Sequence, residues 1–192
     1  MSEALPKYLE QEKVAAILQV AYAALYRDGF ALELTYFYGL RVSELVRLKR
    51  ADYKPGSKRL TITRSKGSVS GEIHVPKHIR PKLEQYLASR ADSIPELIAG
   101  RQGGLSTRAV QMLFDRYAVT AGVVLNDGQG VHCLRHSIAV HLLESGWDIV
   151  KVQKHLGHRR ISSTQIYAQI CDRQRQKDID DLDGEGGRVV IV

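Results

Sequence analysis

The sequence predicts a mainly α-helical fold with one small antiparallel β-sheet, an α+β class, and three observations carry that reading. Apolar residues recur at helical spacing through much of the 192-residue chain. Two short stretches, "RLTIT" at 59–63 and "GEIHV" at 71–75, instead alternate apolar and polar residues. Capping residues and glycines punctuate the helical stretches. With 44% hydrophobic residues the chain can bury a real core, and its length suits one compact domain.

Val14, Ile17, Leu18, Ala21, Tyr22 and Leu25 mark the first helix, which Pro6 and Gly29 bracket. "FALELTYFYGLRVSELVRL" reads as a second helix, a break at Gly39 and a third helix opening near Ser43, which leaves Arg41 on the turn. The two alternating stretches form a hairpin around Gly67 and Gly71, with a third short strand near Ala51 to Tyr53. Ile79, Leu83, Tyr86 and Leu87 mark the next helix, and "ADSIPELIAGRQGG" is a loop with some helical content and the best internal linker candidate.

Ser106 caps a helix whose apolar stripe runs Val110, Leu113, Phe114, Tyr117 and Ala121. The "HCLRH" helix follows, with Leu134, Ile138 and Leu142 as its buried stripe and His132 and Arg135 largely off it. Asp148 caps "IVKVQKHL" and Gly157 ends it, leaving His158 just beyond. Ser162 and Gln165 form a capping box for a short helix in which Ile166 and Ile170 are the buried pair. Tyr167 is offset by about 100° from that row and is expected to face a cleft. After "GEGG" the tail "RVVIV" is strand-like with no local partner.

Lys and Arg outnumber Asp and Glu by 28 to 21, a formal net charge of +7 that favours a polyanionic partner, nucleic acid above all. Two cysteines, Cys133 and Cys171, are too few for a disulfide framework and form no C-x-x-C pair, which suits a reducing cytosol. The apolar run from Val14 to Tyr26 falls short of the roughly 20 residues a membrane span needs. Glu3, Glu10 and Glu12 precede it where a secretory signal would be basic, so a cytoplasmic protein without a membrane partner is expected.

"HCLRH" places His132 and Arg135 roughly 60° apart on a helix, able to act on one ligand. His132 and His136 are also spaced as a zinc-binding helix would have them. Here, however, Cys stands beside the first histidine where a zinc protease carries Glu, and Arg135 would set a permanent cation against the metal. No metal is expected.

Across the chain the parts fall in a particular order: "GLRVSEL" around Arg41, Lys66 in the hairpin, "HCLRH", "LGH" ending at His158, and "STQIYA" around Tyr167. Arg135 to His158 is 23 residues and His158 to Tyr167 is 9. Together these resemble the tyrosine recombinases, also called the phage integrase family, over nearly all of their catalytic domain. The resemblance implies that Tyr167 is a nucleophile, that Arg41 and Arg135 hold a scissile DNA phosphate, and that His132 and His158 contact the same group. Lys66 would be the general acid for the leaving oxygen, while His136 and Glu44 match positions that support the site. The implied product is a covalent 3′-phosphotyrosyl link, made without metal, ATP or other cofactor on double-stranded DNA, by a homo-oligomer, a tetramer on DNA.

That chemistry is physically coherent. Attack on an anionic diester builds charge on the phosphorane oxygens, which two guanidinium forks can bind bidentately. A tyrosine with a pKa of about 10 must be activated by a base and nearby cations. Residues 1–182 are assigned to the catalytic domain, without the family's usual N-terminal DNA-clamping domain, and 183–192 to a tail that docks in trans or back on its own domain. Two features depart from the family pattern: the "KGSVSGEIHV" connection is looser than the usual Lys-Gly turn, and Arg159 and Arg160 follow "LGH". The alternatives are a type IB topoisomerase-like relaxation and a non-catalytic DNA-binding regulator.

Overall fold

The computed structural model describes residues 6–65 and 67–184, without the side chains of 177, 178 and 180–184. Helix α1 (Gln11–Ala24) and helix α2 (Tyr26–Phe37) are separated only by Leu25, whose extended backbone (φ −158°, ψ 119°) ends one helix and opens the next. Gly29 therefore does not bracket α1, as the sequence suggested, but lies inside α2. Its role is close approach: a Cβ there would stand 2.5 Å from Cγ of Tyr22, so only glycine lets the two helices pack at this distance.

The break at Gly39 is present, with φ +54°, and it separates α2 from the single turn α3 (Val42–Leu45). Arg41 stands at the N-cap of that turn, where the Glu44 carboxylate accepts its backbone N–H at 3.0 Å. A 3₁₀ turn (Arg50–Asp52) leads into β1 (Tyr53–Lys54), β2 (Arg59–Ile62) and β3 (Gly71–His74), an antiparallel sheet in that order with Leu60 opposite both Tyr53 and Ile73. Leu60 and Ile62 point into the core, as period-2 alternation requires.

Helix α4 (Arg80–Ala88) follows, with Pro81 in its first turn. The loop 91–104 holds no helix and is not a free linker, because Leu97 and Ile98 are buried in the main core. Ser106 caps α5 (Thr107–Thr120) by accepting the Ala109 N–H, and Phe114 on its inner face is fully buried, contributing roughly 1.5–3 kcal/mol.

Helix α6 (Cys133–Glu144) is buried nearly all round rather than on one stripe: Cys133, Leu134, Arg135, Ser137, Ile138, Ala139, Val140 and His141 are all inside. Helix α7 (Ile149–Leu156) is capped by Asp148 and stopped by left-handed Gly157, as expected. Helix α8 (Ser162–Gly184) is long rather than short, and Ser162 lies in its first turn instead of capping it, since the Ile161 carbonyl accepts the Gln165 N–H.

The apolar interior has two parts. The larger joins α1 to α5 with the sheet, and the smaller gathers Ile138, Ala139, Val140, Val152, Leu156, Tyr167 and Ile170 between α6, α7 and α8. Tyr167 is 3% exposed, so it does not face an open cleft. Among the described residues no helix is long and apolar enough to cross a membrane.

Candidate active site

The ends of α2 and α7 come together, and each leaves carbonyls that no helical N–H can reach. Side chains supply the missing donors. Arg135, in the first turn of α6 and 1% exposed, donates to the Gly39 carbonyl and, at 3.1 Å, to that of Leu156. Arg64, just past β2, donates to Gly39 at 3.2 Å, Tyr38 at 3.0 Å and His155 at 3.0 Å. His155 Nε2 pairs with the Phe37 carbonyl at 2.7 Å. Cations at helix C-termini also meet the favourable end of the helix dipole.

Glu44 is buried and serves both Arg64 (3.0 Å) and Arg41 (2.8 Å), and it accepts the Ser65 N–H at 3.0 Å. Burial alone would raise its carboxyl, but the backbone N–H bonds from Ser65 and Arg41 and the Arg64 charge bring it down to about 2. Arg41 is also bonded to Ser68 Oγ at 2.8 Å and keeps 30% of its side chain exposed. Ser68 belongs to the hairpin connection, which docks on the segment after α7: Ser68 bridges His158, and Val69 N–H donates to the Gly157 carbonyl at 2.7 Å.

Tyr167 completes the site from α8. Its hydroxyl is hydrogen-bonded to Nδ1 of His136 at 2.9 Å, and its ring lies parallel to that of His158, 8° apart with centroids 6.4 Å apart. His158 Nδ1 is engaged by Thr164 Oγ1 at 2.9 Å, which leaves Nε2 without a hydrogen-bond partner among the described residues. His132 occupies the N-cap position of α6, with its ring 4.9 Å from that of His136.

The electrostatics are those of an anion site. Two guanidinium groups, Arg41 and Arg64, share one carboxylate, and the two hydrogen bonds of Arg135 among the described residues run to carbonyls. Burial, then Arg41 and Arg64, push Arg135 down to about 10, still charged at neutral pH. Burial with neighbouring cations lowers His132, and brings His158 to about 4; burial with His132 and Arg135 brings His136 to about 4. All three rings are therefore neutral at pH 7 and able to accept protons. Burial raises Tyr167, while Arg135 and Arg41 pull it back.

Of the residues expected from sequence, Arg41, His132, Arg135, His158 and Tyr167 are gathered here, with His136 and Glu44 among them. Lys66 lies outside the described residues, as does the tail from 185. Among the described residues no three His, Cys, Asp or Glu side chains come together as a metal would need. Sequence reasoning missed Arg64, Ser68 and Thr164 as partners of the site. A signal for Arg64 existed, since it continues the alternate register of 60 and 62, which are apolar and buried, just past the end of the strand.

The sequence pattern of the phage integrase family matches residues 7–174. The chain belongs to the phage integrase family. It is 38% identical over 177 residues to a tyrosine recombinase XerA from Thermococcus kodakarensis, an alignment covering 90% of this chain and 61% of that protein. The chain thus spans less than two thirds of the length of this relative. In fold it is similar to the XerH site-specific recombinase bound to palindromic difH substrate in a post-cleavage complex, at TM-score 0.77 and 23% identity over 93% of this chain and 54% of that one. It is also similar to lambda integrase in a tetramer bound to a Holliday junction, at TM-score 0.71 and 23% identity over 87% and 49%.

Proposed function

We propose that this chain carries the catalytic machinery of a site-specific DNA recombinase that cleaves and rejoins strands through a covalent 3′-phosphotyrosyl intermediate. The observation that carries the reading is the convergence of one buried tyrosine with three histidines and Arg135 beside the half-exposed Arg41. Arg41 and Arg135 bind the non-bridging oxygens of the scissile phosphate. His132 and the free nitrogen of His158 donate to the same group, and Lys66 protonates the departing 5′ oxygen. Tyr167 attacks phosphorus, and the phosphotyrosyl bond retains the energy needed for rejoining, so neither a metal nor ATP is called on.

The partner is double-stranded DNA, to which the +7 charge is suited. Strand exchange brings two duplexes together, which fits a homotetramer on DNA, and the lambda integrase tetramer on a Holliday junction supports that assembly. A DNA-acting enzyme of this kind works in the cytoplasm. Residues 1–182 act as the catalytic domain and 183–192 as a docking tail.

The test is covalent trapping on nicked suicide duplexes tiled across the DNA neighbouring the gene, read as a slow-migrating protein–DNA band under denaturing conditions. Wild type forms the adduct, and Tyr167→Phe binds the same duplex but forms none, because only the hydroxyl is lost. An adduct of normal yield with Tyr167→Phe would assign the nucleophile elsewhere.

A further inference from the structure

Resting on that reading, we infer that His136 is the residue that holds the Tyr167 hydroxyl and takes its proton during attack, a role the expected catalytic set leaves vacant. Among the described hydrogen bonds, the one made by the Tyr167 hydroxyl goes to Nδ1 of His136, at 2.9 Å. The other two histidines are otherwise placed. His158 has its Nδ1 engaged by Thr164 and meets Tyr167 ring to ring, and His132 meets the edge of the His136 ring.

The fold fixes this pair. His136 follows Arg135 directly in the first turn of α6, so the ring in contact with the nucleophile and the guanidinium beside it are set by the same turn of helix. Tyr167 is held from α8 by packing against Ile138, Leu156 and Ile170 in the smaller core. A neutral imidazole offers Nδ1 as an acceptor, and a hydrogen bond of 2.9 Å is already within proton-transfer reach.

The step balances without a co-reactant. The Tyr167 Oη–P bond forms as the Oη–H bond breaks, the proton passes to His136 Nδ1, and the P–O5′ bond breaks with its electrons leaving on the 5′ oxygen. Rejoining reverses each event and returns the proton to Tyr167. The groups facing His136 decide when this happens: His132 and Arg135 on its own helix, Tyr167 on α8 and His158 after α7, with Arg41 and Arg64 one step further out, beside Arg135 and His158. In the free protein these cations oppose a protonated imidazole. A bound phosphodiester supplies the missing negative charge, so transfer is coupled to DNA binding and the tyrosine stays protonated without it.

The experiment compares single-turnover cleavage of the nicked suicide duplex by wild type, His136→Ala and His136→Asn, each with its DNA affinity and its pH–rate profile. Asn places an amide where Nδ1 stands, so it keeps the hydrogen bond and the packing while being unable to take a proton. Both variants are expected to bind DNA as wild type does and to cleave at least ~100-fold more slowly, the range of a lost general base. Free imidazole is expected to restore the Ala variant in part, and the Asn rate to rise with pH where the wild-type rate has levelled. His136→Asn cleaving within about threefold of wild type with an unchanged pH profile would overturn the assignment. That outcome differs from failure of the underlying reading, in which wild type itself forms no adduct.

Discussion

Two buried guanidinium groups plug the converging ends of α2 and α7, Arg64 from the strand side and Arg135 from α6, and they differ in what balances their charge. Both donate to the Gly39 carbonyl, and each reaches one carbonyl at the end of α7. Arg64 also meets the Glu44 carboxylate at 3.0 Å, whereas both bonds of Arg135 go to carbonyls. The same side chain in the same mechanical role is thus ion-paired in one place and, among the described residues, not in the other. Burying a cation beside carbonyls alone is expensive, and an anionic ligand offsets that cost. On the proposed function that ligand is the scissile phosphate at Arg135, while Glu44, itself paired with Arg64, holds the half-exposed Arg41 in position.

Substituting each arginine should separate the roles. Arg64→Met removes the buried one of the two guanidinium partners of Glu44 and three hydrogen bonds to helix-end carbonyls, and should destabilise the protein by about 3–5 kcal/mol, measured by denaturant unfolding. Arg135→Lys keeps the charge but not the fork. It should slow cleavage about 10²- to 10³-fold, as for a lost oxyanion donor worth about 2.7–4 kcal/mol, while DNA affinity falls much less. Equal effects of the two substitutions on stability and on rate would erase the distinction.

Gly39→Ala attacks what the arginines share. Its φ of +54° resists a side chain, and so does the Leu156 Cδ2 atom, 2.5 Å from where a Cβ would stand, so about 2 kcal/mol should be lost. Because both arginines use that carbonyl, melting temperature and single-turnover rate should fall together, unlike either arginine variant.

Acid should produce the smallest effect and test the neutral half of the site. His136 and His158 sit at about 4 when folded, against about 6.5 for an unperturbed histidine. Below pH ~6.5 the unfolded chain therefore binds more protons, and stability is lost as pH falls from there toward 4. Partial exposure of both rings limits this to a drop of about 5 °C in melting temperature between pH 7 and 4.5. His136→Asn should flatten part of that slope, whereas Arg64→Met should leave the histidine part intact.

Much of this site was legible in order and spacing. Arg41 after Gly39, Arg135 three residues after His132, His158 beyond a glycine-stopped helix and Tyr167 nine residues later stood out through the family resemblance that this order carries, while the break at Gly39 and the stop at Gly157 follow from local rules of capping. The cap at Ser106 and the cap at Asp148 were equally local, since each depends on a side chain three residues from the N–H it accepts. Gly29 was misread for an instructive reason: a glycine at a helix end and a glycine at a helix crossing look alike until the second helix is placed.

Sequence by itself determined the fold class and the helix stops at Gly39 and Gly157, because these rest on interactions within a few residues along the chain, and the order of motifs supplied the candidate site residues. Tertiary structure alone decided the partnerships. That the Tyr167 hydroxyl meets His136 depends on α6 and α8 packing across 31 residues, and that Arg64 rather than a solvent-facing neighbour caps α2 and α7 depends on contacts spanning 26 and 91 residues. The offset of Tyr167 from its helix's apolar row suggested exposure, yet the rings of His136 and His158 cover it. Helical periodicity reports which face a residue occupies, and only the neighbouring elements decide whether that face meets water or another side chain.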